Sequence, residues 1–166
     1  MIVKKKCLTN FFLPQKNNFK TFFKKTHDLL NKNGIFLLHT IGQKGEPTAT
    51  SPWIRKYIFP GGYIPALSEV VPAIEQAKLQ ITDIEVLRRH YAETLHAWRT
   101  RFLNNWEQAR DLYDERFCRM WEYYLAASEV SFRCLGLVVF QIQLIKGDGA
   151  VPITRDYMSR ETPISG

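Results

Sequence analysis

The segment GIFLLHTIG, Gly34 to Gly42, constrains the fold more than any other stretch of the chain. A short, continuous apolar run bounded by glycines is the signature of a strand covered on both faces, as in a parallel sheet flanked by helices. A helical pattern precedes it: Phe19, Phe22, Phe23, Leu29 and Leu30 recur at helical spacing and stop at Asn33-Gly34. Helix against buried strand means the α/β class. With 166 residues, 45% of them hydrophobic and 13% aromatic, the chain has material for one domain burying roughly 70% of its unfolded surface. His39 stands at the carboxyl end of the strand, where ligands gather in open α/β sheets, which makes it a candidate site residue; a satisfied structural histidine is the alternative.

Past the strand, Gly45, Gly61, Gly62, Pro47, Pro52, Pro60 and Pro65 break up most of Gln43 to Pro65, so this is a long loop of the kind that often serves as a functional lid. Ser68 is placed to cap a helix through Val71, Ile74 and Ala77, and Leu79 to Leu87 follows as a strand. Tyr91, Leu95, Trp98, Phe102, Trp106 and Ala109 trace one long helix. Asp114 caps a second that carries Phe117, Met120, Trp121, Tyr124, Ser128 and Phe132. In the last strand, Leu137 to Lys146, Phe140, Ile142 and Leu144 alternate with Gln141 and Gln143, which suits an antiparallel strand with one wet face.

Charge is distributed unevenly. Seven lysines, Lys4, Lys5, Lys6, Lys16, Lys20, Lys24 and Lys25, come before any acid, and they account for the whole net charge of +7. Set beside Phe11, Phe12, Phe19, Phe22 and Phe23, they suit anionic lipid headgroups or nucleic-acid phosphates, with a plain solvated face as the alternative. Nucleic acid is the weakest of these, because no recognition motif accompanies the lysines. The longest apolar run, Leu135 to Ile145, is interrupted by two glutamines and falls short of the ~20 residues of a membrane span. Met1 to Asn10 lacks the apolar core of a secretory signal, so a cytoplasmic protein is expected. Cys7, Cys118 and Cys134 form no CxxC pair, which argues against a disulfide framework or a structural zinc site.

The runs FPGGYIPALSEV, TDIEVLRRHYAETLHAWRTRFLNNW, YDERFCRMWEYYLAASEVSFR and VVFQIQLIK, together with LLHTIG, resemble the carboxyl-terminal part of the cyclopropane-fatty-acyl-phospholipid synthases, the family that includes the mycolic acid cyclopropane synthases. The resemblance covers roughly Asn18 to Lys146. It implies a partial class I methyltransferase, Rossmann-like fold: the carboxyl-terminal half, with about three strands and four helices. It also implies S-adenosylmethionine as cofactor and transfer of a methylene to the cis double bond of a phospholipid acyl chain. In such chemistry the alkene attacks a sulfonium methyl, and a bound bicarbonate ion removes a proton from the resulting carbocation so that the ring closes. By motif, His39 and the backbone amide of Ile41 match bicarbonate-holding positions, as does Tyr91 in HYAETL; His39 and Tyr91 are thus the implied catalytic residues. Imidazole and phenol can each donate a hydrogen bond to an oxyanion. Tyr124 and Ser128 fall at the acyl site, where an aromatic face stabilises developing positive charge. Ser128 stands where some relatives have cysteine.

The family's glycine-rich loop and the acidic residue after its second strand, which hold the cofactor, have no counterpart here. FFLPQKNNF replaces an FEHVG-like segment whose glutamate helps hold bicarbonate. The expected organisation is a divergent basic lead-in over 1–18, the methyltransferase part over 19–146 and a flexible tail over 147–166. On this reading the chain is a truncated synthase, inactive without a complementing amino-terminal chain or a homo-oligomer, working peripherally at the inner membrane surface on phospholipid. The competing reading is a non-catalytic lipid-surface or protein-binding remnant. The strand Gly34 to Gly42 would then have one bare edge, unless another chain or the lead-in covers it.

Overall fold

The structure is a computed structural model and describes residues 6–9, 15–148 and 151–158, the first four as backbone. Its centre is a four-stranded sheet, in spatial order β1 (Lys6–Thr9), β2 (Ile35–Gln43), β4 (Leu137–Ile145) and β3 (Gln80–Leu87). Strand β4 runs antiparallel to both neighbours, setting His39 opposite Gln141 on one side and Glu85 opposite Gln141 on the other. Strand β1 pairs parallel to β2, from Lys6 opposite Phe36 to Thr9 opposite His39. Three strands and an irregular lead-in were expected; the lead-in itself supplies a fourth strand and covers the edge of β2. Four residues are too few to print a period on the sequence. Strand β2 also departs from the all-parallel reading. Phe36, Leu38, Thr40 and Gly42 are buried on one face, and the alternate residues are half-buried, because the helices over the second face reach β2 at Ile41.

Six α-helices are described rather than four: α1 (Phe19–Leu29), α2 (Pro52–Tyr57), α3 (Leu67–Gln76), α4 (His90–Asn104), α5 (Trp106–Leu112) and α6 (Glu115–Cys134). On one face of the sheet, Phe19 and Phe23 of α1 and Val70 and Ile74 of α3 pack on Leu38, Phe140 and Ile142. On the other, Ala92 and Leu95 of α4 and Leu125 and Phe132 of α6 pack on Val139. Burial of Phe19 and Phe23, with Phe22 against them, removes the apolar partners that a lipid-docking lysine block needs; Lys20, Lys24 and Lys25 face solvent. Phe11 and Phe12 lie outside the described residues.

Three further differences have local causes. Helix α2 forms inside the expected loop because Pro52 occupies its first position, where a missing N–H breaks no bond. Helix α3 starts before Ser68: Glu69 reaches back so that its Oε2 accepts the Ala66 N–H at 2.9 Å, and this carboxylate does the capping work assigned to the serine. The long helix from Tyr91 divides at Asn105, whose Nδ2 donates to the Arg101 carbonyl at 2.7 Å, a local bond that competes with helix continuation. Asp114 does cap α6, accepting the Phe117 N–H at 2.6 Å. The tail is anchored where it is described: Arg155 Nη2 lies 2.7 Å from Asp83 Oδ2, and Gln143 Nε2 donates to Tyr157 Oη at 2.6 Å.

Two details lock the site's framework. Gly42 has room for no side chain: a Cβ there would stand 2.2 Å from Phe140 Cε2 and 3.0 Å from the Pro65 carbonyl oxygen. The Phe140 ring therefore lies across β2 where the strand is bare. Glu129, buried on α6, gathers the opposite side: Arg133 Nε donates to its Oε1 at 2.9 Å, His96 Nδ1 lies at 3.3 Å, and Arg99 Nη2 stands 3.4 Å from Oε2, off the hydrogen-bond axis. Arg133 also bonds Glu93 at 2.8 Å. His96, Arg99 and Glu93 belong to α4, so the cluster clamps α4 to α6.

Gly42→Ala forces a buried ring to move and is expected to lower stability by about 1–3 kcal/mol, read as a lower urea midpoint at unchanged slope. Burial alone would raise the Glu129 pKa, but the bond from Arg133 and the charges of His96 and Arg99 prevail and hold it below its ordinary 4.5. A carboxyl depressed in the folded state stabilises the fold above its unfolded pKa and loses that contribution as pH falls. Acid unfolding of the wild type should therefore steepen below about pH 4.5, and Glu129→Gln should flatten that limb; an identical acid profile for the two proteins would contradict the clamp.

Candidate functional site

Strand β2 ends in Gln43, the chain loops out through α2, and α4 and α6 return across the same end of the sheet. Between them lies a cavity of about 660 Å³. Its floor is Ile41 and Leu137, its sides are Tyr91 and Leu95 of α4 and Tyr124, Ala127, Ser128 and Phe132 of α6, and its cover is Trp53, Ile54 and Phe59. Among the described residues, no lysine, arginine, histidine, aspartate or glutamate lines it, and no glycine.

Four of the five residues singled out in the sequence meet here: Ile41, Tyr91, Tyr124 and Ser128. His39 does not line the cavity. It points to the same face of β2 two residues earlier, half-buried, with Nδ1 3.1 Å from Nε2 of Gln141, its partner across the ladder. A strand side chain's face is readable from its period, whereas its cross-strand partner depends on a register no local pattern encodes.

The two phenols are held in their neutral form. Tyr91 packs its ring on Phe132 with centroids 5.0 Å apart and on Trp98 at 5.9 Å; burial, then the nearby Tyr124, pushes its pKa up to about 12. Burial likewise raises Tyr124, against a hydrogen bond with Ser128 one helical turn away that works in the other direction. The Tyr124 ring meets Phe59 edge-on at 5.9 Å and Trp121 at 5.1 Å. Neutral phenols in an apolar box can give a hydrogen bond to an oxyanion, and their ring faces can meet a cation. Phe59, Trp53 and Tyr123 were missed as individual site residues. For Trp53 and Phe59 the signal was the loop itself, which carries aromatic residues over the cavity; Tyr123 lies in the aromatic stretch of α6.

The methyl donor implied by the resemblance does not fit these walls. A ribose needs a carboxylate or similar acceptor, and the amino-acid end of this cofactor a glycine-rich turn after a strand. The cavity has neither, and among the described residues no glycine-rich turn joins a strand directly to a helix. The walls are mostly aliphatic and aromatic, with Gln43, Thr48, Thr50, Ser51, Ser128 and Ser131 as their polar side chains besides the tyrosine hydroxyls.

Comparison with known proteins agrees with the architecture. The profile of the mycolic acid cyclopropane synthetase family matches residues 8–142. A cyclopropane-fatty-acyl-phospholipid synthase of Escherichia coli is 38% identical over 130 residues, which are 78% of this chain and 34% of that protein. A tuberculostearic acid methyltransferase of Mycobacterium tuberculosis is 48% identical over 99 residues, 58% of this chain and 23% of the relative. A mycolic acid cyclopropane synthase solved with SAH and CTAB superposes with a TM-score of 0.71 at 27% identity, over 78% of this chain and 50% of that one. The chain thus spans about a third or less of the length of these curated relatives. A sheet with its last strand inserted antiparallel between two others, and the family profile laid over most of it, place the chain in the mycolic acid cyclopropane synthetase family, with part of the class I methyltransferase fold.

Proposed function

We propose that this chain forms the acyl-chain half of a cyclopropane or methyl-branched lipid synthase dependent on S-adenosylmethionine. The cofactor's cradle is supplied by a segment other than the described residues. The observation that carries the reading is the 660 Å³ cavity: apolar, walled by aromatic rings, free of charged side chains, and set at the end of β2 where ligands collect in this class of sheet. A fatty acyl chain bearing a cis double bond is the ligand class that such walls suit. A charged or strongly polar substrate would be left with unpaired groups.

Each wall has a part in this reading. Ile41, Leu95 and Leu137 exclude water from the hydrocarbon. The faces of Tyr124 and Phe59 meet positive charge developing on the double bond, a cation–π term that grows as the site dries. The Tyr91 hydroxyl donates to an anion that accepts the departing proton, the place that the resemblance assigns to bicarbonate, with the Ile41 amide on the same side. His39 supports that corner from behind, through β2, rather than from the cavity wall. No helix among the described residues is long and apolar enough to cross a membrane. The chain is proposed to work at the cytoplasmic face of the membrane, drawing acyl chains from phospholipid.

Binding is the direct test. Decanol titrated into the purified chain should quench or shift tryptophan fluorescence through Trp53, and Ala127→Phe, which fills the cavity from α6, should weaken that binding by about tenfold without lowering helix content. Retention of full affinity in the filled variant places the hydrocarbon elsewhere. In an assembled synthase containing this segment, Tyr91→Phe is expected to lower turnover by about 10²-fold, the loss typical of one oxyanion donor, and His39→Ala to lower it less. Wild-type turnover in Tyr91→Phe refutes the role given to that phenol.

A further inference from the structure

A second hollow, of about 280 Å³, lies beside the first and shares with it the wall made by Ala49 and Thr50. Its chemistry is the opposite. Lys16, Arg55, Gln15, Asn17 and Tyr63 line it, with the bare backbone of Gly61 and Gly62, and no carboxylate does. Glu69 lies behind this wall with its side chain only 4% exposed, and it organises the hollow: its Oε1 takes Lys16 Nζ at 2.9 Å and the Tyr63 hydroxyl at 2.6 Å, while its Oε2 is engaged by the Ala66 amide. Lys16 thus has a fixed ammonium, with donors to spare.

Arg55 makes no side-chain hydrogen bond or ion pair among the described residues, so its five donors are available to a ligand. Thr50 Oγ1 accepts the Ile64 N–H at 3.3 Å and keeps its own proton to give. Gly61 adopts φ +75°, a conformation that favours glycine, and a Cβ there would come within 3.2 Å of Gln15 Nε2. Two cations, a hydroxyl and two carboxamides around a small hollow are a donor set for a phosphate group, the anion that guanidinium and ammonium groups recognise best together. The position matters as much as the composition. On α2, Trp53 and Ile54 line the hydrocarbon cavity and Arg55, the next residue, lines the polar hollow. One short helix separates apolar from anionic space.

We propose that the hollow formed by Lys16, Arg55, Thr50 and Tyr63 is a phosphate subsite, holding the phosphate of a phospholipid whose acyl chain occupies the adjoining cavity. The proposal rests on the acyl-chain reading of that cavity, and a three-ligand titration of the full chain separates the two. Decyl phosphate should bind about tenfold more tightly than decanol, since one or two charge-assisted bonds are gained. Arg55→Gln, an exposed and unpaired position, should erase most of that advantage and leave decanol affinity unchanged. Lys16→Gln should act in the same direction. Inorganic phosphate should displace decyl phosphate only at much higher concentration.

Failure of decanol to bind overturns the acyl-chain reading. Binding of decanol with no gain from the phosphate, or a gain that survives Arg55→Gln, overturns the subsite alone. Inorganic phosphate binding as tightly as decyl phosphate assigns the hollow to free phosphate and overturns the lipid source.

Discussion

Strand β4 is the last described strand in sequence yet lies inside the sheet, and much of the molecule is arranged around its two edges and two faces. Its backbone is hydrogen-bonded to β2 on one side and β3 on the other, so neither of those strands shares an edge with the other. Its alternating side chains divide between the two layers: Val138, Phe140, Ile142 and Leu144 enter the core under α1 and α3, while Val139 enters the core under α4 and α6. Because a strand's side-chain period is two, a slip of one residue in β4 would send both sets to the wrong layer. The Phe140 ring over Gly42 makes that slip harder, since the ring fits where β2 lacks a Cβ.

This arrangement also explains why the cavity lies where it does. The helices α4 and α6 cover the second face only toward the end of β2 and β4 that holds Ile41, Val139 and Leu137. The cluster around Glu129 joins the two helices, while Tyr91 on one and Tyr124 and Ser128 on the other line the cavity between them. The polar clamp is outside the cavity and the apolar walls are inside it. Burying one carboxylate among two guanidinium groups and an imidazole keeps charge out of the space where hydrocarbon is proposed to lie.

Much of this was legible in the residues. The apolar run of β2, the alternation of β4, the Asp114 cap and the aromatic stripe of α6 each carry their own local signal, whereas Ile41, Tyr91, Tyr124 and Ser128 were singled out by the family resemblance and the fold brings them to one cavity. What was not legible depended on distance. Strand β1 is four residues whose stability comes from its neighbour rather than its composition. The capping of α3 by Glu69, the clamp on Glu129 and the pairing of His39 with Gln141 join residues through geometry that only the fold supplies. Helix α2 was hidden by the prolines and glycines around it, which correctly announced breaks but could not show that Pro52 begins a helix instead of preventing one.

The lysine excess shows how the same residues change meaning once folded. In sequence, Lys16, Lys20, Lys24 and Lys25 alternate with phenylalanines and suggest a patch that could press both charge and rings into a lipid surface. In the structure the rings of Phe19 and Phe23 are core, and three of these lysines are left on a solvated helix face. Lys16, itself exposed, is tied to a buried carboxylate that also holds Tyr63 and the start of α3. Charge on a solvated face attracts anions at a distance and is weakened by salt. A cation fixed beside a hollow, next to a second unpaired one, acts on an anion at contact. The basic character of the amino-terminal region therefore divides into a diffuse field and one placed ammonium, and only the second has the geometry to select a phosphate group.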